Sequence, residues 1–397
     1  MMSKNITDIQ IIGPLKKPAQ DKTPVFKKEP LPKAETSPPK KPKKSKKKLI
    51  LVISIIVFII ALASAAVFFL FFNKKGLEEV PQETKPPEKV EVSPFDTESP
   101  LNGVLTTKEK AQRRPIAVAI ENHTDARPQS GLDKAGLVYE AVTEGGITRF
   151  LAFFVENDIS EIGPIRSART CFVRSADEYN AFYAHVGDNK DALALIKELD
   201  NFFDIDQFSL GKYYWRDKKR YAPHNVYSST DNLRKAGESK KWNANAEYDK
   251  WLFKDDERNE NRGQTKKITI NFSSANYKVD YYYDREFNIY KRNLAGKEHV
   301  DKNTEEQIKA KTVIIQYVQS WLKPPENPKE GQSTEIKNDG TGKAVIFIDG
   351  KKITGTWKKL SRKQRTKFYD ESGNEVKFNR GQIWIELASS GVGISDE

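Results

Sequence analysis

The sequence has few of the residues that redox or metal chemistry requires. Its 397 residues include one cysteine, two methionines and four histidines. A single cysteine cannot form an intrachain disulfide, so any folded part must be stable through the burial of its core. The chain has no CxxC or HExxH motif and no cluster of histidines, and it therefore predicts neither a metal site nor a cofactor. We expect Cys171 to be a small buried residue rather than a nucleophile.

Charge, proline and glycine are absent from residues 49–72. These twenty-four residues are apolar except for Ser54 and Ser64. As a helix they would be roughly 36 Å long, enough to cross a hydrocarbon core of about 30 Å. A buried core helix would keep a polar face, and a cleaved signal peptide would have a shorter apolar stretch nearer the N-terminus. The sequence therefore predicts one transmembrane helix at residues 49–72, in contact with membrane lipid.

Lysines surround this apolar stretch unevenly. Seven lie within residues 40–48, whereas only Lys74 and Lys75 follow directly after it. Positive charge beside a membrane segment stays in the cytoplasm, which predicts a single-pass protein of the cell membrane with a cytoplasmic N-terminus. Residues 1–72 also carry +10 of the net charge of +12, which leaves +2 for the rest. Such a small excess gives no reason to expect nucleic-acid binding.

The segments on either side of the apolar stretch lack the pattern of a folded core. Residues 1–48 are rich in lysine and proline and are predicted to be a disordered cytoplasmic tail. Residues 73–112 contain five prolines among charged side chains, which predicts an extended linker. Folded domains are therefore expected from residue 113 onward.

An α/β domain is predicted for residues 113–262, because apolar runs of strand length alternate there with helical segments. The predicted strands are Pro115–Ile120, Leu137–Val142, Ile147–Val155, Glu161–Ile165 and Ala181–Val186. The predicted helices are one that begins near Thr170, one over Lys190–Leu199 opened by Asp188, and one capped by Ser229 or Thr230 that runs through Lys235.

A mostly antiparallel β domain is predicted for residues 265–395. Tyr277, Val279, Tyr281 and Tyr283 recur at every second position, and Asp349-Gly350 is a hairpin-turn dipeptide. The predicted strands are Lys267–Phe272, Tyr277–Tyr283, Thr312–Gln319, Lys343–Ile348, Ile353–Trp357 and Gln382–Leu387. The predicted fold is thus an α/β domain followed by a mostly antiparallel β domain, both extracytoplasmic, after a single transmembrane helix.

Polar side chains concentrate in the loops of the first predicted domain. Sites in α/β sheets form in the loops at strand ends, and the planar forks of Arg149, Arg166 and Arg169 suit phosphate or carboxylate groups. The candidate ligand-binding residues are Glu121, His123, Arg127, Glu144, Arg149, Arg166, Arg169, His185, His224 and Asn225.

Each candidate also has a purely structural explanation. Arg149 lies in an apolar strand, where a buried ion pair with Glu140 or Glu144 is an alternative to a ligand contact. His185 has apolar neighbours typical of a core histidine, and the loop histidines could serve only to hold turns. Considered together, the candidates favour a polar cleft for an anionic or peptide-like ligand, without an assignable catalytic residue.

Several segments closely resemble the YerB-like family. They are Pro115–Ile120, Glu121–His123 (ENH), Ala126–Leu132 (ARPQSGL), Val138–Ala141 (VYEA), Glu144–Phe150 (EGGITRF), Ile162–Arg169 (IGPIRSAR), Tyr183–Gly187 (YAHVG) and the region near Gly381–Trp384. The resemblance extends over roughly residues 110–395. It implies a membrane-anchored bacterial surface protein with two linked domains of unknown function. The partner that we expect is a cell-wall polymer or an envelope protein. Many members are lipoproteins, whereas this chain would use a transmembrane helix.

The layout from Ile162 to Leu199 is also similar to that of the LytR–CpsA–Psr glycopolymer transferases, which bind a polyprenyl pyrophosphate in an arginine-lined pocket. The resemblance implies that Arg149 and Arg166 clamp phosphates while Glu144 or Asp188 helps to hold a metal. The Mg²⁺ carboxylates of that family fall here on Phe150 or Leu151 and on Ser167. A lipid-pyrophosphate-dependent transferase is therefore the second hypothesis.

Overall fold

The computed structural model describes residues 59–64, 68, 95–187, 189–325, 332–389 and 391–397. Residues 59–64 and 68 of the predicted anchor are helical. The rest of that segment, the predicted tail at residues 1–48 and residues 73–94 of the predicted linker lie outside the described residues. Over the described ranges, no helix is long and apolar enough to cross a membrane. The transmembrane helix and the tail therefore remain predictions.

The part of the chain from residue 95 onward is built mainly from β-strands. In chain order the strands are β1 Thr97–Glu98, β2 Leu105–Thr106, β3 Ile116–Glu121, β4 Leu137–Glu144, β5 Ile147–Phe154, β6 Phe182–His185, β7 Phe203–Asp206, β8 Trp215–Arg216, β9 Val226–Tyr227, β10 Leu252–Lys254, β11 Lys267–Asn271, β12 Lys278–Asp284, β13 Ile289–Leu294, β14 Lys297–Glu298, β15 Lys309–Ala310, β16 Thr312–Tyr317, β17 Gln319–Lys323, β18 Ser333–Lys337, β19 Gly340–Ile348, β20 Lys351–Lys359, β21 Lys367–Asp370, β22 Lys377–Asn379, β23 Ile383–Ala388 and β24 Gly393–Asp396. The helices described are α1 Lys108–Ala111, α2 Thr170–Glu178, α3 Lys190–Glu198 and α4 Thr230–Ser239.

Local sequence signals explain where the helices begin. The side chains of Asn189 and Ser229 accept hydrogen bonds from backbone N–H groups in the first turns of α3 and α4, as N-cap residues do. The cap of α4 is as predicted. For α3 the capping side chain is Asn189, and Asp188, the predicted opening residue, lies outside the described residues.

Residues 95–112 of the range predicted as a linker are among the described residues. Residues 97–111 form the β1–β2 hairpin and α1, whose first turn is capped by Thr107. Leu101 is fully buried and packs in the hydrophobic core. The boundary between the linker and the first domain, predicted at residues 112 and 113, remains a prediction.

The large sheet determines where loops can meet. Within the described residues it has twelve strands, in the order β21-β20-β19-β16-β23-β4-β5-β3-β6-β7, with β17 and β18 joined to β4 at the side. Strands β16, β23, β4, β3, β6 and β7 run in the same direction. Their carboxyl ends therefore lie at one end of the sheet. We call this region the carboxyl edge; it contains the last residues of β3, β4 and β6, the residues that follow them and the beginning of β5.

The strands from residue 312 onward belong to three sheets: the large sheet, the smaller sheet through β24, and a two-stranded pair of β22 with β10. The smaller sheet, β14-β13-β12-β11-β24 with β15, is antiparallel throughout. In contrast, β16, β19, β20, β21 and β23 join the large sheet, where β23 lies parallel to both β4 and β16. The architecture is therefore a mixed α/β sheet with an antiparallel C-terminal sheet. The domain boundary at residues 262–265 remains a prediction, and the large sheet contains strands from both sides of it.

Both faces of the large sheet are covered. The smaller sheet and α4 contribute to the hydrophobic cluster on one face, which includes Ile116, Val118 and Ile120 of β3. Helices α2 and α3 contribute to the cluster on the other face. All six residues of β3 are consequently buried, which explains why its first five residues, Ile116–Ile120, are apolar. Cys171 of α2 is buried as predicted, and burial raises the pKa of its thiol to about 12.

A buried polar network joins the two sheets. Arg292 of β13 forms an ion pair with Glu140 of β4, and both side chains are completely buried. Arg292 also donates a hydrogen bond to the Tyr281 hydroxyl at 3.1 Å. Burial, together with the neighbouring Glu140, raises the pKa of Glu386 well above its ordinary value. Burial and the Arg292 charge lower the pKa of His299, which is therefore neutral.

We expect Arg292→Met to lower the free energy of unfolding by about 3–5 kcal/mol, because Glu140 would remain buried without its partner. The double variant with Glu140→Gln should recover part of this loss. Urea unfolding of the full chain in detergent, followed by tryptophan fluorescence, measures both. As a control, Arg380→Met removes solvent-exposed ion pairs with Glu98 and Asp255 and should cost about 1 kcal/mol or less. Equal losses of unfolding free energy in Arg292→Met and Arg380→Met would contradict this role of the network.

Candidate functional site

Two buried arginines share one glutamate at the carboxyl edge. Arg149 Nη2 lies 3.4 Å from Glu144 Oε1, and Arg169 forms an ion pair with the other carboxylate oxygen of Glu144. Arg149 Nη1 also donates a hydrogen bond to the Ser167 carbonyl at 2.9 Å. Only 2% of the Arg149 side chain and 6% of the Arg169 side chain are exposed, against 35% of Glu144. The carboxylate of Glu144 is thus the part of this group that faces solvent.

The charges of this group influence one another. Burial alone would raise the pKa of Glu144, but Arg149 and Arg169 lower it below its ordinary value, so Glu144 is ionised. Burial lowers the pKa of the Arg149 guanidinium, and the charge of Arg169 lowers it further. The sequence left Glu140 and Glu144 as alternative partners of Arg149. The structure selects Glu144, because Glu140 pairs with Arg292.

A second charged group lies beside the first. Glu121 is the last residue of β3, and its backbone stands opposite Arg149 of β5 in the sheet register. The buried Glu121 carboxylate has Arg166 Nε at 3.1 Å from one oxygen and His224 Nδ1 at 3.0 Å from the other. Arg166 comes from the loop before α2, and His224 comes from the loop before β9. Tertiary folding therefore joins three separate segments around one carboxylate.

The turn after β3 brings further polar groups to this place. His123 caps the short 3-10 turn Thr124–Ala126, where its Nδ1 accepts a hydrogen bond from the Asp125 backbone N–H at 3.2 Å. The imidazole rings of His123 and His224 are stacked, with centroids 4.7 Å apart. One donor atom from each of His123, Asp125 and His224 lies within 4.8 Å of the others. Two histidines and an aspartate are the kind of donor set that binds a metal ion.

Sequence reasoning missed Asp125 and predicted no metal site. The local signal was the His123-Thr124-Asp125 spacing, in which the first and third side chains can point to one side of a tight turn. His224 lies in a different loop, so its position beside His123 could not be read from spacing along the chain.

Two other candidates, Arg127 and Asn225, support loops. Among the hydrogen bonds of the described residues, neither side chain contacts Glu121, Glu144 or their arginine partners. Arg127 donates to the Asn122 side chain and to the Asn276 carbonyl, and its guanidinium lies over the Tyr277 ring at 5.1 Å. Asn225 donates to the carbonyls of Asp217 and Arg220. It thereby shapes the loop that carries His224. Their predicted contact with a ligand remains a prediction.

His185 has the surroundings of a core histidine. Its side chain is 1% exposed, its Nδ1 lies 2.8 Å from the Gly187 carbonyl, and its Nε2 lies 2.7 Å from Asp204 Oδ1. Burial alone would lower the pKa of His185, but the hydrogen bond and charge of Asp204 raise it above its ordinary value. His185 therefore stabilises the end of β6, next to the carboxyl edge.

The His185–Asp204 pair predicts a pH-dependent stability. Because the folded-state pKa exceeds the unfolded value of about 6.5, its stabilisation is complete below about pH 6.5 and is lost as the pH rises through the folded-state pKa. We therefore expect Asp204→Asn to cost more free energy of unfolding at about pH 6 than at about pH 9. Denaturant unfolding at both pH values measures this difference. Asp231→Asn, at an exposed pair with Lys235, should show no such trend, and a pH-independent cost for Asp204→Asn would contradict the assignment.

The geometry does not favour the transferase hypothesis. That hypothesis required Arg149 to face a pyrophosphate, whereas the buried guanidinium is bound to Ser167 and Glu144. Glu144, a proposed metal ligand, is held between two arginines. Asp188, the other proposed ligand, lies outside the described residues.

Two consecutive regions of the chain match a family of unknown function. Residues 101–243 match the family described as "Protein of unknown function (DUF3048) N-terminal domain", and residues 268–385 match its C-terminal domain. The chain is also similar to "Putative lipoprotein YerB" of Bacillus subtilis (strain 168), with 30% identity over 294 residues, or 73% of this chain and 85% of that protein. A crystal structure of YerB protein from Bacillus subtilis has a TM-score of 0.67 and 28% identity, and it covers 75% of this chain and 99% of that one.

Proposed function

Since the chain belongs to the DUF3048 family, as its resemblance to the YerB-like proteins predicted, we propose that it acts in the bacterial cell envelope. Its folded part lies outside the cytoplasm and is anchored by residues 49–72. The lysines before that segment and the word lipoprotein in the name of its Bacillus subtilis relative support this location. At its carboxyl edge the protein binds an anionic or peptide-like ligand of the envelope, such as a cell-wall polymer or a segment of an envelope protein.

The excess of arginine over glutamate at the carboxyl edge is the observation that carries this proposal. Arg149, Arg166 and Arg169 surround two carboxylates, those of Glu121 and Glu144. The group therefore keeps one positive charge after all pairs are made. Arg166, with 23% of its side chain exposed, is the arginine placed to offer that charge to a ligand. A guanidinium binds carboxylate or phosphate through paired hydrogen bonds.

Exposed aromatic side chains flank the same edge. Phe208 is 77% exposed, and its ring lies against Gly187. The Gly187 carbonyl accepts a hydrogen bond from the backbone N–H of Ala168, which stands between Arg166 and Arg169 in the chain. Tyr221 is 90% exposed, and its carbonyl accepts a hydrogen bond from the His224 backbone. Rings that project beside a charged group give a polymer or peptide an apolar surface to contact.

We expect Arg166→Ala to weaken binding of an anionic envelope polymer by about tenfold or more, because a charge-assisted contact is lost. The measurement is titration of the full chain in detergent with teichoic-acid-type polymers and with soluble peptidoglycan fragments. Arg380→Ala is the control, because Arg380 is 31% exposed, pairs with Glu98 and Asp255, and precedes β23, at the end of the parallel strands opposite to Arg166. Binding that falls equally in both variants, or in neither, would exclude Arg166 as the ligand contact.

Glu144→Gln distinguishes the two kinds of ligand. Removing its charge raises the net charge of the group, so we expect tighter binding of a purely anionic polymer. A peptide fragment with a free ammonium group loses its negatively charged contact and should bind more weakly. The same titrations measure both effects. Unchanged affinity for both probes would place the ligand away from Glu144.

The location can be tested with introduced cysteines, since the single native Cys171 is buried. On intact bacterial cells, a membrane-impermeant maleimide should label Asp231→Cys, at an exposed position of α4, but not Ser3→Cys. After permeabilisation both should be labelled. Wild-type protein controls for reaction at Cys171. The reverse pattern on intact cells would refute the proposed orientation.

A further inference from the structure

His123, Asp125 and His224 lie together although they come from two separate loops. His123 and Asp125 belong to the turn after β3, and His224 belongs to the loop before β9. His123 Nδ1 lies 3.6 Å from Asp125 Oδ2. Two ligands of one zinc ion, each at about 2.0–2.2 Å in tetrahedral geometry, are separated by roughly 3.4 Å. The spacing of this pair suits atoms that share a small cation, and binding through Nδ1 would replace the hydrogen bond that this atom accepts from the Asp125 backbone N–H.

The Glu121 carboxylate lies close to the His224 imidazole. Glu121 is 3% exposed, and its Oε2 is shielded from solvent and makes no hydrogen bond, although His224 Nδ1 lies 3.0 Å away. Histidines that bind metal usually donate their other ring N–H to a carboxylate, which fixes the ring and its tautomer. A rotation of the His224 ring that completes this hydrogen bond would leave its Nε2 atom to bind an ion.

From this arrangement we propose that His123, Asp125 and His224 bind one divalent transition-metal ion of the zinc type, with Glu121 as the carboxylate that orients His224. Three protein ligands leave a fourth coordination position open to water or to a ligand. Solvent can reach the site, because 33% of the His123 side chain and 70% of the Asp125 side chain are exposed. The inference does not rest on the proposed envelope ligand.

The surrounding charges indicate which class of ion fits. Arg166 lies beside Glu121, and Arg220 donates hydrogen bonds to the Asp125 and Pro128 carbonyls. These guanidinium groups disfavour an ion that is held by charge alone. Imidazole donors suit zinc, copper or nickel, whereas calcium and magnesium prefer sets of oxygen ligands. The site should therefore select zinc-type ions over Ca²⁺ and Mg²⁺.

The test is calorimetric titration of Zn²⁺ into the full chain, purified without a polyhistidine tag in detergent and stripped with EDTA. We expect one Zn²⁺ per chain, with binding at least tenfold weaker in His123→Gln, His224→Gln and Asp125→Asn. Asp231→Asn is the matched control and should bind as the wild type does, because Asp231 is exposed on α4 and pairs with Lys235. Titration with Ca²⁺ and Mg²⁺ should show much weaker binding.

Folding of each variant is measured separately by thermal unfolding in EDTA. Asp125→Asn alters an exposed side chain, so it keeps the test decisive if a histidine variant does not fold. Co²⁺ provides a second measurement, since wild type should show the visible absorption of a low-coordinate site and Asp125→Asn should not. Absence of saturable Zn²⁺ binding, or equal binding by wild type and Asp125→Asn, would overturn the proposal. Loss of polymer binding with Zn²⁺ binding intact would affect only the proposed envelope ligand.

Discussion

The ion pair between Arg292 and Glu140 is the contact on which the arrangement of the two sheets depends. Two opposite charges withdrawn from water are tolerated only when each keeps its partner, so the smaller sheet must lie where β13 meets β4. The Trp384 ring lies under the Arg292 guanidinium at 4.4 Å and fills the space between the sheets. Sliding one sheet along the other would separate the pair and leave a buried charge uncompensated.

The same network supports the candidate site. Glu140 accepts a hydrogen bond from the Thr148 hydroxyl at 2.6 Å, and Thr148 in turn accepts one from the Asn122 side chain at 2.7 Å. Asn122 stands between Glu121 and His123 in the chain. The buried contact between the sheets therefore fixes the turn that carries these two residues. A site built in this way is pre-organised, and little order has to be created when a ligand or an ion binds.

The carboxyl edge combines two groups with different chemistry. Arg149 and Arg169 are buried and neutralise Glu144, so their main effect is to shape the edge and keep its charge slightly positive. Arg166 and the His123–His224 pair are the more accessible members. Glu121 contacts both, as the partner of Arg166 and of His224. Binding of a ligand at Arg166 should therefore change the affinity of the histidine pair for an ion, because both groups contact the Glu121 carboxylate.

The sequence alone determined the local elements and the residue types at the edge. Apolar runs located β3, β4, β5 and β6, and a capping serine located α4. The Arg and Glu candidates other than Arg149 were named because they lie in loops at strand ends. It could not show that β16 and β23 join the large sheet, that Asp125 and His224 meet, or that Arg292 pairs with Glu140. The spacing of apolar residues shows which face of a helix or strand is buried. It relates only residues that lie a few positions apart in the chain. Which distant segments pair is decided by sheet order and register, and these exist only in the tertiary structure.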